Sequence, residues 1–167
     1  MNSTASPTTR SLVLVPAVVT LAVTGVRLLL ELKGAPAWLA NSGVGGPGAL
    51  LGIAWLPFLF GPWFAARLLP HAKSTKQLVA RLAKTLWVYG LAARLPVALL
   101  TIPAVLGDWG THYDKFPFEA STAAKIGAAF AAQLGFWASV WTVLTGLLAA
   151  FVVARLRRTA MPMQSGA

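Results

Sequence analysis

TLWVYGLAARLPVALLTIPAVL, residues 85–106, contains a single charged side chain, Arg94. A helix needs about 20 consecutive apolar residues to cross the hydrocarbon core of a bilayer, so this stretch reads as a membrane span. Three runs of the same character lie at about residues 11–32, 48–69 and 121–155. The expected fold class is therefore all-α, an integral membrane four-helix bundle. It fills one transmembrane domain over residues 1–167, with 1–10 and 159–167 as flexible tails.

Composition agrees with this reading. Of the 167 residues 57% are hydrophobic and 11% charged, and the mean hydropathy is +0.69, which excludes an ordinary water-soluble domain. The absence of cysteine excludes disulfides, thiolate metal sites and a cysteine nucleophile. Ahead of the first span, residues 1–10 are rich in Ser and Thr and end in Arg10, as in a signal anchor. Ala35-Pro36-Ala37 imitates a cleavage site. The apolar run before it is longer than the ~7–15 residues of a signal peptide, so the first span is expected to be retained.

Spans two and three carry prolines. Pro57 and Gly61-Pro62 fall within span two, and Pro96 and Pro103 within span three. Each removes a backbone donor and crowds the carbonyl four residues back, so both spans are expected to be kinked, span two even discontinuous. Ser74 and Gln77 have capping-box spacing just before span three. In span four Gly127, Ala131 and Gly135 recur at i, i+4 and i+8, a smooth stripe that lets another helix approach closely, in the bundle or in a homo-oligomer.

Charge placement sets the expected topology. With four spans, the termini and loop 70–84 share one side. That side holds Arg10, Arg67, Lys73, Lys76, Arg81, Lys84, Arg155, Arg157 and Arg158 and no acid. The other side, with loops 33–47 and 107–120, holds all four acids, Glu31, Asp108, Asp114 and Glu119. By the positive-inside rule both termini and loop 70–84 are cytoplasmic, in a cytoplasmic (inner) membrane, with loops 33–47 and 107–120 outside. The net charge of +10 is then mainly an orientation signal. It offers the basic face to anionic lipid headgroups at about 1 kcal/mol per residue. No aromatic stacking platform is interleaved with it, which argues against nucleic acid.

A few polar residues are left over. Arg94 costs roughly 2.5–3.5 kcal/mol at mid-helix and must face the bundle or a wet cavity. Carbonyls freed by Pro57, Gly61-Pro62 and Pro96 are its expected neighbours, and its alternative partner is an anionic ligand. Arg27 and Glu31, at i and i+4, can pair on one helix face. Alternatively Glu31 turns to Arg94 or the outer loop.

The densest polar cluster is Gly107-Asp108-Trp109-Gly110-Thr111-His112-Tyr113-Asp114-Lys115. Asp108 and His112 at i and i+4, with Asp114, can present two carboxylates and an imidazole to a divalent metal or a proton relay. The same residues also suit plain structure, Trp109 and Tyr113 as interfacial anchors and Asp108 as a cap. A haem bridged by His71 and His112 is not expected, because the topology puts them at opposite faces. The Gly43–Gly48 loop lacks the Lys and Ser/Thr of a phosphate loop.

Three functional readings follow. The first is a small membrane protein that binds, or helps transport, a small anionic or amphipathic ligand in an outward polar pocket built from Arg27, Glu31, Arg94, Asp108, Trp109, His112, Tyr113 and Asp114. The second is a membrane enzyme using His112 with Asp108 and Asp114, with or without metal. The third is a non-catalytic subunit or assembly factor.

Overall fold

The computed structural model describes residues 6–40 and 52–160, and all the regular structure in them is helical. Helix α1 covers Thr9–Leu32 and is followed by a single turn, α2, at Ala37–Ala40. A 3₁₀ turn at Ile53–Trp55 leads into α3, Leu56–Leu68, and a second at Leu69–His71 leads out. Helix α4 is the long Thr75–Gly107. The last span joins α5, Thr122–Phe130, a π-helical stretch, Ala131–Trp141, and α6, Thr142–Ala160. The spans at Thr9–Leu32, Ile53–His71, Thr75–Gly107 and Thr122–Leu156 are long and apolar enough to cross a membrane.

Boundaries follow local chemistry. Thr8 accepts from the Ser11 amide at 3.2 Å and opens α1. Ser74 accepts from the Gln77 amide at 3.2 Å, while Gln77 Oε1 reaches back to the Lys73 amide at 2.6 Å. The capping pair thus starts α4 ten residues before the apolar run, and the helix carries Lys76, Arg81 and Lys84 with it. At 1.5 Å per residue α4 is about 50 Å long, well beyond the hydrocarbon thickness. Pro57 lies in the first turn of α3, where its missing N–H deprives nothing of a partner. The α3 helix then continues through Gly61-Pro62, so the expected discontinuity is not seen over Leu56–Leu68. Residues 48–51 of the expected second span, and the Gly43–Gly48 loop, lie outside the described residues, as do residues 1–5 and 161–167 of the expected tails and the side chains of Arg157 and Arg158.

Span three is the hub. Helix α4 packs against α1, α3, α5, the π-helical stretch and α6, whereas α1 leans chiefly on α4. Buried Leu82, Leu86, Tyr89 and Ala93 of α4 meet Leu12, Val13 and Ala17 of α1 and Phe64 and Leu68 of α3. One polar bond crosses this core. The Thr20 hydroxyl donates to the Pro16 carbonyl at 2.8 Å, so the Tyr89 hydroxyl, 2.8 Å away, donates to Thr20.

Close backbone approach falls at glycines other than the expected ones. A Cβ on Gly61 would collide with the Gly146 carbonyl oxygen, and one on Gly90 with the Ala138 carbonyl oxygen. These two contacts seat α3 on α6 and α4 on the π-helical stretch. Gly127, Ala131 and Gly135 instead face away from the bundle, and a Cβ on either glycine meets nothing within 4 Å. Spacing reveals a smooth stripe but not which stripe has a neighbour.

This contrast is testable. Gly61→Ala should lower the thermal unfolding midpoint in detergent micelles, by the equivalent of about 1–3 kcal/mol of overpacking. Gly127→Ala should leave it unchanged or raise it, since alanine is the better helix former.

Candidate functional site

The loop between α4 and α5 is built around two carboxylates. Helix α4 ends at Gly107, and Asp108 takes the left-handed conformation, φ 46°, that closes it. Asp108 is exposed there. Past this point the chain is no longer α-helical, so the helix face expected to carry both Asp108 and His112 does not exist. Asp114 turns into its own loop. One carboxylate oxygen accepts from the Thr111 amide at 2.7 Å and the Thr111 hydroxyl at 2.9 Å, and the other from the Gly110 amide at 2.8 Å. Three donors on one carboxylate fix the turn.

Glu31 joins this loop to α1. Its side chain is 1% exposed, and the Arg27 Nε–H donates to its Oε1 at 3.2 Å. The same N–H also reaches the Ala40 carbonyl, tying down the segment after α1. Glu31 Oε2 accepts from the His112 amide at 2.9 Å, and His112 Nδ1 lies against Oε1. The expected i, i+4 pair is present, and Glu31 turns to the loop as well. The His112 and Tyr113 rings lie against each other, tilted by 43°, with centroids 3.8 Å apart. Burial pushes the His112 pKa below its ordinary value, against the opposing pull of the Glu31 carboxylate. Burial pushes the Tyr113 phenol up to about 12.

Arg94 is buried, 6% exposed, with partners on the last span. Its Nη1 donates to Gln133 Oε1 at 3.3 Å, and its guanidinium lies over the Trp137 ring, 5.0 Å from the centroid. The expected partners, carbonyls beside Pro57, Gly61-Pro62 and Pro96, are replaced by these two side chains. The π-helical stretch carries both Gln133 and Trp137. Hydroxyls with the same wide spacing brace it, Ser139 donating to the Leu134 carbonyl and Thr142 to the Trp137 carbonyl, at 2.8 and 2.7 Å. Both neighbours of the guanidinium are neutral, and no Asp or Glu lies within 4 Å of it among the described residues, which include all four acids.

A crevice of about 260 Å³ opens between the loop, α4 and the start of the last span. Thr101, His112, Tyr113, Lys115 and Gln133 give it polar groups, and Phe116, Phe118 and Ala132 are among its apolar walls. Of the sequence candidates only His112 and Tyr113 line it. Arg27 and Glu31 support it from behind, Arg94 sits beyond Gln133, and Asp108, Trp109 and Asp114 are not part of its wall. Thr101, Phe116 and Gln133 lie outside the sequence candidates, and Lys115 belongs to the 107–115 cluster without a role assigned there. Gln133 had a legible signal, being the one side-chain amide in the run 121–155. Among the described residues no three His, Cys, Asp or Glu side chains gather as a cation would need. The expected trio is dispersed because Asp108 closes a helix and Asp114 is spent on backbone amides. Comparison with family models, curated proteins and solved structures returns no match, so the geometry alone carries the functional reading.

Two outcomes follow from the loop. Asp114→Ala removes three hydrogen bonds and should speed hydrogen exchange at the Gly110 and Thr111 amides at least tenfold while the helices stay protected. The His112 pKa is depressed in the folded protein, so the unfolded chain binds the extra proton more readily. Stability is therefore full above the ordinary histidine pKa and is lost as pH falls below it. The melting midpoint should drop between about pH 7.5 and 5.5 more steeply in wild type than in His112→Gln.

Proposed function

We propose that this chain is a small multi-pass membrane protein that binds a small anionic amphiphile in the crevice between loop 107–120 and the last span. The observation that carries this is Arg94, a buried guanidinium without a carboxylate. A buried charge is tolerated when it is paired, and half a pair is the costly arrangement. The cation–π contact with Trp137 offsets part of that cost, on the order of 0.5–2 kcal/mol. A bound anion would offset the rest. Gln133 lines the crevice and holds Arg94, so an anionic head entering there is one side chain from the guanidinium. Lys115, at the rim, attracts the same head, and the Phe116 and Phe118 walls suit a short hydrocarbon.

The basic end of the bundle is assigned to the cytoplasm, so both termini and loop 70–84 lie inside and the crevice opens outward, the membrane being a cytoplasmic one. Anionic headgroups would gather at the basic end by simple electrostatics. Pro62, Pro96 and Pro103 would bend their spans around the last helix. The stripe Gly127, Ala131 and Gly135, turned away from the bundle, is the proposed contact for a second copy of the chain.

Octanesulfonate is a suitable probe, a permanent anion with a short tail. Titrated into protein held in phosphatidylcholine nanodiscs, it should bind wild type and lose at least tenfold in affinity in Arg94→Gln. That variant removes the charge but keeps a partner for Gln133, so its melting midpoint without ligand should equal or exceed that of wild type. Methanesulfonate should bind more weakly if the apolar walls act. Nanodiscs enriched in phosphatidylglycerol should compete if the natural anion comes from the bilayer, and leave binding unchanged if it is a soluble one. Equal affinity of octanesulfonate for wild type and Arg94→Gln would sink the proposal.

A further inference from the structure

We propose that the anion held in this crevice is bound together with one proton, taken up at His112 on its pair with Glu31. The inference rests on the crevice being an anion site and adds how occupation of that site is coupled to pH.

Geometry assigns the two imidazole nitrogens different tasks. Nδ1 is shielded from solvent and lies against Glu31 Oε1 without an aligned hydrogen bond; an ionised carboxylate can only accept, so a proton on this nitrogen is the favoured arrangement. In the neutral ring the lone pair is then on Nε2. Nε2, by contrast, has no hydrogen-bond partner among the described residues and stays accessible on a residue that lines the crevice. A carboxylate holding one imidazole nitrogen while the other faces a cavity orients the ring and stabilises the imidazolium when it forms.

Surrounding charge decides when it forms. From α1, Arg27 opposes a proton on His112 and Glu31 favours it; from the loop, Asp114 favours it more weakly. Tyr113, tilted against the ring, stays a neutral phenol at physiological pH. Lys115 adds a positive charge at the rim, while Thr101 of α4 and the crevice residues of the last span bring no charge. Arg94 stands beyond Gln133. In the empty crevice burial, with Arg27, outweighs Glu31 and Asp114, and the ring's hold on a proton is weakened. An anion at Nε2 reverses the balance, since an opposite charge within about 4–6 Å raises a cationic group's pKa by 1–3 units. One proton then passes from solvent to Nε2. The imidazolium donates through Nδ1 to Glu31 and through Nε2 to the bound head. No other bond changes.

Linkage fixes the size of the effect. Up to one proton enters per anion, and affinity rises by up to tenfold for each unit of pH decrease between the pKa of the empty and the occupied site. An anion site that takes its proton from the outer face has the coupling that proton-linked capture of organic anions requires.

The experiment is a pH-stat titration of octanesulfonate into wild type in weakly buffered phosphatidylcholine nanodiscs, between about pH 6 and 7.5. Sulfonate does not titrate there, so every proton consumed is taken by the protein. Wild type should consume a substantial fraction of one proton per sulfonate bound. His112→Gln, whose amide can still donate to Glu31, should bind sulfonate with an affinity independent of pH and consume none. Lys115→Ala should bind more weakly with unchanged proton stoichiometry. Sulfonate bound by wild type without proton uptake, or uptake that persists in His112→Gln, would overturn the coupling and leave the anion site standing. No sulfonate binding by wild type at any pH would overturn the anion site and the coupling with it.

Discussion

One carboxylate organises the loop end of this molecule. Glu31 is almost wholly removed from solvent; it accepts from the Arg27 Nε–H and the His112 amide, and the His112 ring lies against it. Through Arg27 it also governs the segment up to Ala40. A buried carboxylate needs this many donors, because each unfilled acceptor would carry a desolvation penalty of about 1–3 kcal/mol. The need is structural, but its solution brings an imidazole to the edge of a cavity in a fixed orientation.

Scarcity of acid does the rest. The chain has four carboxylates for fourteen Lys and Arg. Glu31 is shared between two partners, Asp114 is absorbed by its loop, and Asp108 and Glu119 are exposed. Arg94 is left with an amide and an indole. A neutral acceptor solvates a guanidinium without cancelling its charge, so the field of Arg94 extends toward whatever enters beside Gln133. The π-helical stretch makes this arrangement possible. Its wider turn holds Gln133 and Trp137 on the last span where α4 presents Arg94, while Gly90 and Ala138 let the two backbones touch.

Much of this is legible in the amino-acid sequence. Run length marks the four spans, and Ser74 with Gln77 marks the start of α4. The i, i+4 spacing of Arg27 and Glu31 announces their pair. What stays hidden has physical causes. Hydrophobic pattern cannot separate a π-helix from an α-helix when nearly every residue of the span is apolar, so the sequence points to prolines for the partners of Arg94 and not to Gln133 and Trp137. The spacing of Asp108 and His112 implies a shared face only if the helix continues, and Gly107 ends it. Small residues at i, i+4 and i+8 identify a smooth stripe on span four, yet the contacts use Gly61, Gly90 and Gly146, because packing needs a matching surface on the other helix.

The two unusual features of the molecule therefore share one origin. If Arg94 had its own carboxylate in the bundle, the crevice beside Gln133 would be electrically quiet, and an anion would gain little by leaving water. If Glu31 lacked the His112 ring, the buried end of α1 would be satisfied by Arg27 and amides alone, and the crevice would hold no imidazole. With one acid too few in the interior and one imidazole held against the acid that remains, the proposed site would combine a fixed positive charge behind Gln133 with a conditional one at His112. On the proposed reading the fixed charge would set which sign of ligand is favoured, and the conditional charge would make the strength of that preference depend on proton concentration.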